Sequence, residues 1–193
     1  MGLFFQLEIQ LVKASKLLVS KWAGGSTTQL YIYPESARVA NKDFEYRIST
    51  ATVELEESTF TLFPNYNRKL MILEGVLDLF HDDRYAIQLH PFDQDEFSGD
   101  WISHSKGKVI DYNVIFTSKY ASEIFHFELS KGEEVKLNCM ETTLLYVLYG
   151  EIAVSKGIAQ RKDVIIIKGQ GELVVNASSD ALIVVTQVNK KEE

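Results

Sequence analysis

Residues 44–75, FEYRISTATVELEESTFTLFPNYNRKLMILEG, contain the pattern that decides the fold. Aromatic and β-branched residues stand at every second position over 44–52, while Arg47 and Ser49 fall on the alternate face, which is the two-residue period of a β-strand. Further apolar runs follow on either side of a turn at Pro64. The stretch is therefore predicted to be strand, turn and strand.

Alternation of this kind recurs along the whole chain. A loosely alternating run over 3–12 is expected to form a first strand, and 109–116 alternates again. The later segments are short, rich in β-branched residues and separated by turn formers, and no helical period extends beyond two turns. The fold class is therefore predicted to be all-β.

Two parts of the chain resemble each other. LMILEGVLDLF at 70–80 and LYVLYGEIAVS at 145–155 share an apolar strand, a Leu-x-Gly turn and an outgoing strand, and they begin 75 residues apart (145 minus 70). This pattern, followed by Asp163 and Gly169, is typical of cupin barrels. We predict a bicupin of two tandem barrels or jelly rolls with few short helices, 1–120 and 121–193, packing as one unit.

Cupins usually hold a metal ion with two His and a Glu before the Leu-x-Gly turn and a third His after it. In the first half, Arg68 takes the place of the Glu and the His positions fall within 61–64. In the second half, Thr143 and the region 137–139 occupy the ligand positions. We therefore expect neither a metal set nor a cofactor.

The four histidines do not stand at ligand spacing. One of them, His81, stands with Asp83 in an H-x-D arrangement that a metal-ligand pair can have, but a solvated hairpin turn is the favoured interpretation. The others are His90, His104 and His126.

Two arginines on predicted strands indicate a different kind of site. Arg47 and Arg68, with Ser49, Asp111 and Asn113 also on strands, are suited to an anion pocket, because a guanidinium group binds a carboxylate with two hydrogen bonds. The alternative is an Arg–Asp pair that braces the barrel mouth, with the charged face in water. Sequence leaves both open.

Composition and net charge limit the classes of binding partner. A net charge of -7 argues against binding the backbone of DNA or RNA, and no apolar run approaches a membrane span. The first residues lack the pattern of a signal peptide. The single cysteine, Cys139, agrees with a reducing cytoplasm and is expected to be a buried, inert thiol.

Six motifs in order resemble the HutD/Ves family of metal-free bicupins: W-x-G-G-x-T-x-Q-L (22–30), F-x-x-R-I-S-x-A-T-V (44–53), S-x-F-x-x-F-P-x-x-x-R (58–68), L-E-G (73–75), F-S-G-D (97–100) and D-Y-N-V (111–114). Gln29 departs from the family, where Glu is common, as does Asn65, where Gly is usual. The ligand-binding residues that the resemblance implies are Trp22, Thr27, Gln29, Arg47, Ser49, Phe63, Arg68, Asp111 and Asn113, with no catalytic residue.

The resemblance also implies a function. It indicates a cytoplasmic protein that binds a small carboxylated metabolite, such as formylglutamate, and is accessory or regulatory to histidine or amino-acid utilisation. One alternative is a metal-independent isomerase or hydrolase-like enzyme with Asp111 or Glu74 as base. Another is an interaction protein, such as a homodimer, that associates through strand edges or its nine tyrosines.

Overall fold

The computed structural model describes residues 7–192, and nearly all of them lie in strands or in the turns between strands. Two 3-10 turns, Ala14–Lys16 and Val39–Asn41, interrupt the strands. The strands of the described residues are β1 Glu8–Val12, β2 Leu18–Trp22, β3 Gly25–Tyr33, β4 Tyr46–Val53, β5 Glu57–Thr59, β6 Tyr66–Glu74, β7 Leu77–His81, β8 Tyr85–Leu89, β9 Gln94–Ser98, β10 Ser103–Lys106, β11 Val109–Thr117, β12 Tyr120–Leu129, β13 Glu134–Cys139, β14 Thr142–Tyr149, β15 Glu151–Val154, β16 Gly157–Gln160, β17 Val164–Lys168, β18 Gly171–Ala177 and β19 Ala181–Lys190.

The predicted all-β class is confirmed. The strand expected over 3–12 is found at Glu8–Val12, and positions 3–6 of that prediction lie outside the described residues. Within 7–192, no helix is long and apolar enough to cross a membrane.

The chain divides into two compact units. Leu18–Tyr120 forms the N-terminal unit, whose strands make a six-stranded sheet in the order β2-β3-β4-β11-β6-β9 and a four-stranded sheet in the order β5-β10-β7-β8. Its apolar core includes Leu70, Ile72, Leu79 and Phe97. These antiparallel sheets are those of a jelly roll.

The C-terminal unit comprises the chain from Ala121 onward together with the segment that ends at Leu17. It contains a five-stranded sheet, β1-β17-β14-β19-β12, and a four-stranded sheet, β13-β18-β15-β16. The division by sequence placed β1 with residues 1–120, whereas β1 pairs with β17, with Ile9 opposite Ile167. The physical reason is burial, because Ile9 packs against the apolar core of this unit.

The two Leu-x-Gly turns occupy equivalent places in the two units. Gly75 follows β6 and Gly150 follows β14, and both glycines have positive φ, +90° and +75°. A Cβ atom at Gly75 would collide with the Lys108 carbonyl, and one at Gly150 with the Asp180 carbonyl. Each turn therefore requires glycine for its backbone conformation and for the close approach of a second segment.

Candidate functional site

The register of the six-stranded sheet places most of the predicted site on one face. Antiparallel partners project to the same side of a sheet, as do residues two apart along a strand. Arg47 and Arg68 both pair with Ile115 of β11, the central strand between them. One pair further along, Asn113 is opposite Ser49, and beyond it Asp111 lies on the same face of β11.

Strand β3 extends this face on the outer side of β4. Gln29 pairs with Ser49, and Thr27 pairs with Ala51, which itself lies opposite Asp111. The alternation over 44–52 and 109–116 thus predicted correctly which residues project together. What alternation cannot give is the order of the strands, which depends on long-range pairing.

Arg68 is buried in an aromatic environment. The residue is 6% exposed, and its guanidinium carbon lies 4.7 Å from the ring centre of Phe60, 5.3 Å from that of Phe97 and 5.9 Å from that of Phe63. Nη1 donates to the Thr61 carbonyl at 3.4 Å, whereas Nε has no hydrogen-bond partner. Burying a guanidinium group with an unused donor destabilises the fold unless another group accepts a hydrogen bond from that donor.

Two acceptors in the same interior are also unsatisfied. Asp111 is 6% exposed and Asn113 8% exposed, and the Oδ1 atom of each has no hydrogen-bond partner. Within residues 7–192, no ion pair joins Asp111 to either arginine. The structure therefore provides neither the bracing Arg–Asp pair nor a solvated charged face, the two parts of the alternative interpretation.

Burial dominates the electrostatics of this group. Burial raises the pKa of Asp111 to about 7, against the opposing effects of the Arg68 charge and of a hydrogen bond from the Ala51 backbone. Burial also lowers the pKa of Arg68 to about 10, with Asp111 opposing and Arg47 adding to the effect. Arg68 therefore stays cationic near neutral pH, and Asp111 changes charge there.

Arg47 lies on the more accessible side of the group. It is half-buried, and its Nε donates to the Gln29 Oε1 atom at 3.2 Å. Burial lowers the pKa of Arg47. Because Gln29 is neutral, it orients this guanidinium without neutralising its positive charge.

Of the other predicted residues, Phe63 borders Arg68, whereas Trp22 lies apart. Trp22 is on the edge strand β2, three strand spacings from β11, or roughly 14 Å. It is 42% exposed and lines an open cavity of about 560 Å³ with Leu55, Phe80 and His104. A second open cavity, of about 810 Å³, belongs to the C-terminal unit and is lined by Leu7, Ile9, Ala153, Val154, Ser155, Lys156, Gly171, Glu172, Leu173, Val174 and Asn176.

Sequence reasoning missed a buried polar network in the N-terminal unit. His81 is 3% exposed and not a solvated turn residue, so that interpretation is wrong. Its Nδ1 lies 2.7 Å from the Ser103 Oγ and its Nε2 lies 2.9 Å from the Asp95 Oδ2, and the Tyr85 hydroxyl donates to Asp95. The two-residue period of β7 could have indicated this burial, because His81 lies on the same strand face as the buried Leu77 and Leu79.

The histidine ring is enclosed by aromatic side chains. Its centre lies 4.5 Å from that of Phe97 and 5.4 Å from that of Trp101. Phe97 therefore stands between this network and Arg68. Among residues 7–192, no group of three or more His, Cys, Asp or Glu side chains is arranged to hold a metal ion.

Two jelly-roll units, each with a Leu-x-Gly turn after a central strand, define a bicupin-like protein. The sequence profile of the HutD family matches residues 14–185. The chain therefore belongs to the HutD family.

Solved structures agree with this fold. HutD from Pseudomonas fluorescens SBW25, in its formate condition, is 19% identical with a TM-score of 0.76, covering 96% of this chain and 100% of that one. The conserved protein of unknown function PA5104 from Pseudomonas aeruginosa PAO1 is 20% identical with a TM-score of 0.78, covering 95% and 100%. The bacterial pirin YhhW from Escherichia coli, in complex with nickel(II), is 13% identical with a TM-score of 0.71, covering 93% and 98%. No curated protein matches by sequence.

Proposed function

We propose that the protein binds a small carboxylated metabolite inside the N-terminal unit, with the ligand carboxylate on Arg68 and Arg47. In this proposal the protein is accessory or regulatory to amino-acid utilisation and acts in the cytoplasm. A free, buried Cys139 fits a reducing compartment.

The observation that supports the proposal is the unsatisfied Nε of Arg68. Burying a cation without compensation is unfavourable by several kcal/mol in general, so a site that retains one has a use for it. A carboxylate is the partner whose two oxygens match the guanidinium fork. The phenylalanine rings on Arg68 exclude water and so strengthen the attraction.

Arg47 gives the ligand a route to the buried charge. It is half-buried where Arg68 is buried, so an incoming anion meets Arg47 first. Its hydrogen bond to Gln29 fixes the side chain before binding. Preorganisation of this kind reduces the entropy lost when a ligand binds.

Membership of the HutD family supports the choice of ligand class and of pathway. Histidine utilisation is the pathway we propose, and N-formyl-L-glutamate is the first compound to test. It presents two carboxylates, which suit a site with two arginines, and an amide N–H that can donate to the unsatisfied Asn113 Oδ1 atom.

A second candidate function, a metal-independent enzyme, is favoured by one observation. The pKa of Asp111, raised to about 7 by burial, is that of a general acid or base at neutral pH. Glu74, the other candidate base, is exposed at the end of β6. Proton exchange at carbon positions of a bound metabolite in D₂O, lost in Asp111→Asn, would support an enzyme.

The test of the binding proposal is a thermal-shift series with N-formyl-L-glutamate, L-glutamate, urocanate and acetate. A ligand at 100 times its Kd stabilises by roughly 2.7 kcal/mol, which raises the melting temperature measurably. Both tryptophans, Trp22 and Trp101, belong to the N-terminal unit, so their fluorescence follows the unit that holds the site.

Variants decide which residues bind. Arg68→Met should abolish the shift, Arg47→Gln should weaken it, and the exposed Arg161→Gln should leave it unchanged. If all three variants respond as the wild type does, the arginine site is wrong. A response to none of the carboxylates overturns the proposed function.

A further inference from the structure

The carboxyl group of Asp111 needs an explanation beyond carboxylate binding. It lies in the same interior as Arg68, close enough for each charge to shift the pKa of the other, yet the two form no ion pair. Both the Asp111 Oδ1 and the Arg68 Nε are without a partner. A ligand group that bridges them must accept a hydrogen bond from Arg68 and must also be a hydrogen-bond partner for Asp111.

The charged groups that face Asp111 come from the two neighbouring strands. β6 contributes Arg68 and β4 contributes Arg47, whereas β3 presents only the neutral Thr27 and Gln29 on this face. Further along the interior, His81 of β7 and Asp95 of β9 are hydrogen-bonded to each other. Of these groups, Arg68 is the one whose charge acts on the pKa of Asp111.

A ligand carboxylate on Arg68 would place two carboxyl groups around one cation. Two ionised carboxylates in a buried site repel each other strongly, and such pairs hold one proton between them. The protonated partner then donates an O–H hydrogen bond to the ionised one, which is among the strongest hydrogen bonds in proteins.

We propose, on the basis of the proposed function, that Asp111 receives the ligand as a neutral carboxylic acid and donates a hydrogen bond to the ligand carboxylate, so that one proton enters with each ligand. Asp111 then acts as a specificity residue. It selects an acceptor-only anion at this position and disfavours an amide, whose N–H groups would face the Arg68 donors. No bond is made or broken except that of the proton taken from solvent.

The raised pKa of Asp111 supports this assignment and sets the pH window. With a pKa of about 7 in the ligand-free protein, Asp111 is mostly protonated at pH 6, so ligand binding at that pH takes up few protons. Above pH 7 the free site is ionised, so binding takes up close to one proton and the apparent Kd rises by up to about tenfold per pH unit. The ligand carboxylates, with ordinary pKa values near 4, stay ionised throughout.

Isothermal titration calorimetry with N-formyl-L-glutamate tests the proposal. Titrations at pH 6 in MES and in bis-Tris, and at pH 8 in HEPES and in Tris, give the number of protons taken up, because the two buffers at each pH differ in ionisation enthalpy. We expect a value close to zero at pH 6 and approaching one at pH 8. Asp111→Asn keeps a donor but cannot titrate, so its Kd should be independent of pH and of buffer. The exposed Asp82→Asn should behave as the wild type does.

The outcomes separate the two proposals. Wild-type binding with no proton uptake at pH 8, or with proton release, overturns the role of Asp111 and leaves carboxylate binding intact. Absence of binding by N-formyl-L-glutamate, L-glutamate and acetate overturns the proposed function and this inference with it. The wild-type measurement decides the matter even if Asp111→Asn fails to fold.

Discussion

At the scale of single residues, the buried charge of Arg68 is expected to lower the stability of the fold. Its guanidinium is buried with an unused donor, and a methionine of similar length would satisfy the same aromatic surroundings without a charge. We expect Arg68→Met to be more stable than the wild type by about 1–3 kcal/mol, because apolar replacement of a buried charge is often stabilising. Urea unfolding followed by tryptophan fluorescence measures this. A loss of stability would mean that Arg68 is already satisfied in the free protein.

Asp111 should make the stability of the N-terminal unit depend on pH. Its pKa is raised from 3.8 to about 7, so the folded state holds a proton that the unfolded state has lost between these values. The stability is therefore greatest below pH 3.8 and falls as pH rises to 7, by up to roughly 4 kcal/mol. Asp111→Asn should lack this dependence and exceed the wild type in stability at pH 8.

The comparison is made by urea unfolding of both proteins at pH 5, 7 and 8. Subtracting one profile from the other removes the contributions of the other acids, which both proteins share. Parallel profiles would show that Asp111 is ionised in the folded protein throughout.

The sequence predicted shared strand faces better than it predicted burial. The two-residue period placed Arg47 with Ser49, and Asp111 with Asn113, because strand periodicity is strictly local. Burial of His81 was missed, because a histidine beside Asp82 and Asp83 has the composition of a turn. Its hydrogen-bond partners are distant in sequence, and local patterns carry no information about them.

At the scale of elements, His81 joins the two sheets of the N-terminal unit. It stands at the end of β7 in the four-stranded sheet and bonds Asp95 of β9 in the six-stranded sheet. His81→Ala would remove the hydrogen bonds of this ring to the Ser103 hydroxyl and the Asp95 carboxylate, and it would leave a cavity among the surrounding aromatic rings. We expect a loss of about 2–4 kcal/mol, measured by urea unfolding with tryptophan fluorescence.

The matched control is His90→Ala, since the His90 side chain is 59% exposed beside Asp93. That change should alter stability by less than about 0.5 kcal/mol. Equal effects of the two substitutions would show that the sheets are held without the histidine link.

Strands with alternating apolar residues were predictable, and short polar strands were not. The strand β11 was expected close to where it occurs. In contrast, no strand was predicted at β9 (QDEFS) or at β10 (SHSK). Their inward faces carry Ser103, Ser105 and Asp95, so hydrophobic alternation is absent although the pairing is regular.

At the scale of the whole molecule, the N-terminal unit is an insertion between β1 and the rest of the C-terminal unit. The unfolding of the two units should therefore separate when β1 is perturbed. Ile9→Asp places a charge against the core of the C-terminal unit and should destabilise that unit by about 2–4 kcal/mol. Hydrogen exchange should accelerate in β14 and β17, while tryptophan fluorescence, which reports the other unit, is unchanged.

Gln10→Asp is the matched control, because residue 10 projects from the opposite, exposed face of β1. It should leave exchange in β17 as in the wild type. If Ile9→Asp also leaves it unchanged, β1 contributes little to the C-terminal unit. The sequence alone did not predict this partnership, since alternation shows which face is apolar and not which strand it meets.

The same insertion imposes an order on biosynthesis. As the chain leaves the ribosome, β1 emerges before any strand of its own sheet, and its partner β17 follows only after more than a hundred further residues. In contrast, Leu18–Tyr120 contains every strand of its own two sheets. It can therefore complete both sheets before β17, the partner of β1, has been synthesised. The sheet face that carries Arg47, Arg68 and Asp111 can therefore form during translation, before the C-terminal unit is complete.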